Sequence, residues 1–167
     1  MAFVQRLLSD ILISAAESVL PDPATLQPSS YATWASTRRE DEFDAASVIR
    51  YLRREGHEPH EALLTQYGKL SRNVIGLREI NTFAPWLECV GTRFVNYASF
   101  QQLRETPRFV EILTFTTPAV SPARDLAFLE VWTEDGRYPE MGMWWWIHLR
   151  YTKEGWRPDW RHIHAIS

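Results

Sequence analysis

The sequence holds one cysteine, Cys89, two lysines, Lys69 and Lys153, and seven glycines that nowhere cluster. A lone cysteine excludes an intrachain disulfide and carries no mark of an oxidising compartment. Within Leu87-Glu88-Cys89-Val90 it reads as part of a strand, where a thiol serves as a small hydrophobe rather than a nucleophile. Scattered glycines leave no phosphate-cradling loop and no dinucleotide fingerprint, and there is no Gly-x-Ser-x-Gly elbow. A basic excess is missing too, with 18 Lys and Arg against 21 Asp and Glu, a net charge of −3 and a pI near 6.0. Nucleic-acid binders draw most of their affinity from phosphate neutralisation, so nucleic acid is not expected as a partner. Arg38-Arg39 runs into Glu40-Asp41-Glu42, and Arg50, Arg53 and Arg54 fall on the solvated side of a predicted helix.

Long apolar runs are lacking as well. The N-terminal stretch is broken by Asp10, and Glu17 stands where a leader would carry small neutral residues. No segment approaches the roughly 20 apolar residues of a membrane span. A protein of the cytoplasm, with no membrane partner, is the expectation.

What is present is an ordinary globular composition. The chain has 167 residues, 45% hydrophobic and 23% charged, which is enough for one domain with a sizeable core. Apolar residues at 4, 7, 8, 11, 12, 15 and 19 predict an amphipathic helix over 2–20, stopped at Pro21-Asp22-Pro23. Residues 21–40 read as an extended Pro/Ser-rich connection pinned by Tyr31 and Trp34. A second helix is predicted over 42–55, with Val48, Ile49 and Leu52 on one face and Gly56 just past its end. A third follows over 59–68, with Pro59 in its first turn.

The period then changes from helical to alternating. Val74–Ile80 and Cys89–Tyr97 are short strand candidates, and Ser99–Glu105 a short helix. Stronger strands are predicted over Phe109–Thr117, Asp125–Thr133, Gly142–Tyr151 and Trp156–Ile166. Short loops between consecutive strands point to an antiparallel meander. The fold class is therefore α+β, a helical N-terminal half packed on a curved antiparallel sheet of four to six strands. Residues 1–41 form an N-terminal helix and connection, and 42–167 the single α+β domain.

Ala127-Phe128-Leu129-Glu130-Val131-Trp132-Thr133, then Met143 to Leu149, then Lys153-Glu154-Gly155-Trp156 make a strand–strand–turn–Trp ending. With the element order over 42–167, this ending resembles the NTF2-like (cystatin-like) α+β proteins, among them small bacterial ones. The resemblance implies helices on the concave side of a curved sheet, and residues 1–41 depart from it. It implies no particular activity, because such folds host enzymes, binders and structural subunits alike.

Six of the eight tryptophans and three of the five histidines lie after residue 131. A three-residue loop Lys153-Glu154-Gly155 would pair Thr152 with Trp156, setting His148 opposite Trp160, Trp146 opposite His162 and Trp144 opposite His164. Alternation then gathers Trp144, Trp146, His148, Arg150, Trp160, His162 and His164 on one face, as a ligand- or partner-binding candidate. Trp145, Ile147, Leu149, Tyr151 and Ile163 fall on the other, expected to be core. No cofactor is expected, and a zinc site built from His148, His162 and His164 is the alternative. Pro158 marks the last strand as an edge or a bulged strand.

Other candidates have bland explanations. His57-Glu58-Pro59-His60-Glu61 reads as polar residues at a helix entry, and Asp41, Glu42 and Asp44 as complements to a helix dipole. Glu111 and Glu130 lie in strands with their direction open. No catalytic residue stands out. Two functions follow: a binding module that captures a protein partner in the manner of an immunity-type inhibitor, or an NTF2-like enzyme or small-apolar-ligand binder using a Trp/His pocket.

Overall fold

The computed structural model describes residues 2–19, 30–34, 43–70, 92–94, 111–135 and 142–166. The strand candidate Val74–Ile80, the helix candidate Ser99–Glu105, Cys89 and the clusters at 38–42 lie outside them. The fold is α+β, with helices leading and most strands following. Helix α1 is Ala2–Val19, α2 is Ala45–Arg54 and α3 is Glu61–Leu70. The strands are β1 Ser30–Trp34, β2 Thr92–Phe94, β3 Glu111–Phe115, β4 Ala119–Val120, β5 Leu126–Asp135, β6 Gly142–Thr152 and β7 Gly155–Ile166.

The C-terminal meander forms as alternation predicts: β3, β5, β6 and β7 lie side by side, each antiparallel to the next, and β4 pairs with β5. Among the described residues the sheet is wider than expected, at seven strands. Its spatial order is β2-β1-β3-β5-β6-β7, with β1 parallel to both neighbours. The Pro/Ser-rich connection thus contributes a ladder strand at Ser30–Trp34 rather than only a tether. Its five residues carry no alternation strong enough to declare this, and its partners stand about 60 and 80 residues away in sequence.

Helices cover β5 and β6 on both faces. On one, Ile11, Leu12, Ala15 and Ala16 of α1 are buried against Leu129, Val131, Ile147, Leu149 and Trp156. Ser14 Oγ donates to the Trp156 carbonyl at 3.1 Å and locks the helix across the hairpin. The amphipathic stripe of α1 therefore docks on its own sheet. On the other face, Leu52 of α2 and Leu63, Leu64 and Tyr67 of α3 pack on Phe128, Ala119, Leu126 and Trp146.

Local chemistry sets the α2–α3 connection. Asp44 caps α2, accepting from Ala46 N at 3.1 Å and from the Ser47 hydroxyl. At the other end Gly56 takes φ +84°. Its N–H reaches the Arg53 carbonyl, and His57 N–H reaches that of Leu52 at 2.9 Å. Those two bonds make a Schellman stop, which needs the left-handed residue that glycine supplies. Helix α3 begins at Glu61, two residues later than Pro59, because the His60 imidazole accepts from Leu63 N at 3.3 Å and acts as the cap.

Candidate functional site

The hairpin register decides where the histidines go. The turn is tighter than predicted: Thr152 pairs with Gly155, whose φ is +100°, and Tyr151 with Trp156. Near the turn the pairing is thus one residue off the three-residue-loop expectation. A bulge between Pro158 and Trp160 restores it, so His148 faces Trp160 and Trp146 faces His162, as alternation requires. A second bulge sets Trp144 opposite Ala165 instead of His164.

The two residues left over are Asp159 and His164, and each bulge re-aims its side chain. Asp159 reaches back to Arg150, accepting from Nε at 3.3 Å and Nη2 at 3.0 Å, and sets Oδ2 3.2 Å from His148 Nδ1. His164 lies flat on Trp146, with centroids 4.2 Å apart and planes 9° apart.

The tryptophans and histidines form one stacked layer under α2 and α3. His148, only 2% exposed, lies parallel to Trp160 with centroids 5.3 Å apart, and His57 stacks on Trp160 at 5.1 Å. Trp146, 8% exposed, donates from Nε1 to Glu130 Oε1 at 2.9 Å. Glu130 is 4% exposed and therefore points into this layer, with His164 Nε2 3.9 Å from its Oε1. Trp144 is half-buried against Trp132, with centroids 5.0 Å apart. Arg150 stays exposed at the rim. On the opposite face Ile147 and Leu149 are core as expected, but Tyr151 and Ile163 are exposed. Tyr151 sits beside the turn and Ile163 on the outermost described strand, where the apolar cover runs out.

The three C-terminal histidines do not converge. His162 Nε2 meets the Tyr51 hydroxyl at 3.1 Å, and its Nδ1 faces His57 Nε2 at 3.4 Å. His148 and His164 are each held by a different tryptophan and a different carboxylate. Among the described residues, no three His, Cys, Asp or Glu side chains come together as a metal site requires.

Burial holds the His148 imidazole below its usual 6.5, a shift that Asp159 opposes and the charges of Arg150 and His60 assist. Burial likewise lowers His162, helped by His57 and opposed by Glu55. Arg150 holds the Asp159 carboxyl below the ordinary carboxylate value, chiefly through their hydrogen bonds. Burial thus favours the neutral form of His148 and His162, and the ion pair Arg150–Asp159 stands at the rim of the layer.

Tyr51, His57 and Asp159 did not stand out in the sequence as parts of this cluster. Tyr51 lies next to the apolar face of α2, His57 reads as helix-entry polarity, and Asp159 gains its direction from a bulge that local pattern does not announce. Glu111 opens β3, and Asp44 is the α2 cap.

Compared with known proteins, the chain matches no family model, no curated protein and no solved structure.

Proposed function

We propose that the protein is a binding module that captures a protein partner along its β6–β7 hairpin, in the manner of an immunity-type or inhibitor protein. One observation carries this. Among the described residues the exposed large hydrophobic side chains are Met143, Tyr151, Ile163 and Ile166, the last 72% exposed, and all four lie on β6 and β7. Strand β7 also closes the described sheet order on that side. Arg157, Pro158 and Arg161 guard its first half, whereas His162-Ile163-His164-Ala165-Ile166 carries neither a proline nor an Asp, Glu, Lys or Arg. Such an edge suits a partner that adds a strand, with backbone bonds giving affinity and Ile163 and Ile166 giving specificity.

The test is photo-crosslinking in the source cells, with a photoreactive phenylalanine replacing Ile166 and, as a control, Lys69. A single adduct at position 166 that Ile163→Lys abolishes supports the proposal. An adduct indifferent to Ile163→Lys, or one equally strong from position 69, removes it.

The chain Tyr51–His162–His57 favours a second function, a small-ligand or acid–base site at the half-buried end of the stack. Three proton-carrying groups in hydrogen-bond sequence beside Trp160 are the kind of polar handle an aromatic site uses. Aromatic fragments that move the His57 and His162 ring-proton resonances but leave His60 unmoved would favour it.

A further inference from the structure

The α2–α3 connection meets strand β7 through His57, whose ring stacks on Trp160 and faces the imidazole of His162. The Schellman stop of α2 fixes His57, and the register of β7 fixes His162; the two rings meet edge to face, with Nε2 and Nδ1 3.4 Å apart. We propose that this pair is an acid-released latch, holding residues 55–60 against β7 while it shares at most one proton and releasing them when it takes two.

The physics lies in the difference between the first proton and the second. A neutral pair makes one long hydrogen bond. With one proton added, the bond becomes charge-assisted and tightens. The ring of His57 over Trp160 gains a cation–π contact if it carries the charge. With two protons both facing nitrogens are donors, no acceptor lies between them, and two positive charges oppose each other in a half-buried site. Protonation of both rings is therefore the state that opens the pair.

The surroundings agree with a local opening. From α2, Tyr51 presents its hydroxyl to His162 Nε2, and the Glu55 carboxylate at the end of the helix favours the charged ring. Arg54 neutralises part of that help, 3.6 Å from Glu55 and stacked over Tyr51. From β6, Trp146 offers only a ring face to His162, and along β7 the flanking groups are Trp160 and His164. Behind Trp160, His148 faces Asp159, Arg150 and His60. Meanwhile Leu52, Leu63, Leu64 and Tyr67 are fully buried on the same face and pack on Ala119, Leu126 and Phe128 of the sheet. Loss of the pair leaves the connection only the His57–Trp160 stack against β7, while the helices stay docked.

The experiment uses the full chain labelled with 5-fluorotryptophan, the Trp160 signal being assigned with Trp160→Phe. It is followed by fluorine NMR from about pH 7.5 to about pH 4.5, alongside far-ultraviolet circular dichroism. We expect a Trp160 transition below 6.5 at constant helix content. Amide protection at His57, whose N–H reaches the Leu52 carbonyl, should fall about tenfold or more after correction for intrinsic exchange. His57→Gln and His162→Gln should each remove the transition. The same transition in His57→Gln would assign it to His148 and overturn the latch. So would a flat Trp160 signal, or a transition that coincides with loss of helix. Should His162→Gln fail to fold, His57→Gln decides alone, since His57 lies outside any helix and is half-exposed.

Discussion

The Trp146 indole donates to Glu130 across adjacent strands, 2.9 Å from nitrogen to oxygen, with both side chains more than nine-tenths buried. The hydrogen bond lets a carboxylate and a large aromatic share the layer between sheet and helices. Trp146→Ala removes a buried ring and this donor together, and should cost about 3–5 kcal/mol of stability in urea unfolding. Trp146→Phe keeps most of the packing and should cost about 1–3 kcal/mol, the penalty for a buried acceptor that loses a partner. Losses below about 1 kcal/mol for the alanine variant would mean the residue sits on an open surface.

Gly142 and Trp132 are fitted to each other. A Cβ placed on Gly142 would stand 2.0 Å from Cζ2 of the indole, too close for any rotamer adjustment of the glycine's own strand to relieve. Gly142→Ala should destabilise by about 1–3 kcal/mol through overpacking. Adding Trp132→Leu should recover part of that loss, and a double-mutant cycle measures the coupling. Strict additivity would contradict the close approach.

Leu12 of α1 is fully buried against the sheet. Leu12→Ala should therefore cost about 2–5 kcal/mol as a core cavity at any protein concentration. A cost that vanished on dilution would mean the helix docks on another copy instead.

The pH dependence follows from His148. Its folded-state pKa lies below the usual 6.5 because burial disfavours the charged ring, so the folded state binds fewer protons than the unfolded one. Stability from this group is complete above about pH 6.5 and drains away as the pH falls toward the folded value. His148→Gln should flatten the decline in urea midpoint between about pH 7.5 and 5.5, leaving the share from His162. An unchanged slope would remove His148 from the account. Asp159 acts lower: its depressed pKa stabilises above about pH 3.8, and that contribution is lost as pH falls below it.

Ile163→Lys and Ile166→Lys alter exposed positions and should shift stability by less than about 0.5 kcal/mol. They should nevertheless weaken any complex formed along β7. A large loss of stability would show that these side chains are covered by the protein's own chain.

Periodicity made the element list legible. The apolar spacing in α1 and the glycine stop at Gly56 mark helices that the structure contains, and alternation marks β3, β5, β6 and β7 within a residue or two; the cap at Asp44 emerged only from the structure, since the sequence places the start of α2 at 42. The common face of Trp144, Trp146, His148, Trp160 and His162 was legible for the same reason, since a strand's side chains alternate whatever surrounds it. The burial of that face was not legible. A Trp/His stripe looks alike beneath two helices and open to solvent, and only the docking of α2 and α3 covers Trp146 and His148. Even the correct central register combined a turn one residue shorter than expected with a bulge at Asp159 that compensated for it.

The sequence by itself determined what is local: helix faces, the stop at Gly56, strand periods and the absence of clustered glycines or paired cysteines. These follow from interactions among residues a few positions apart. The tertiary structure alone decided the parallel insertion of β1 between β2 and β3, the direction of Asp159 and His164, and the meeting of His57 with His162 across more than a hundred residues. Each of those depends on how sheets and helices close over one another, a packing free energy summed over many contacts that no short stretch of the chain encodes.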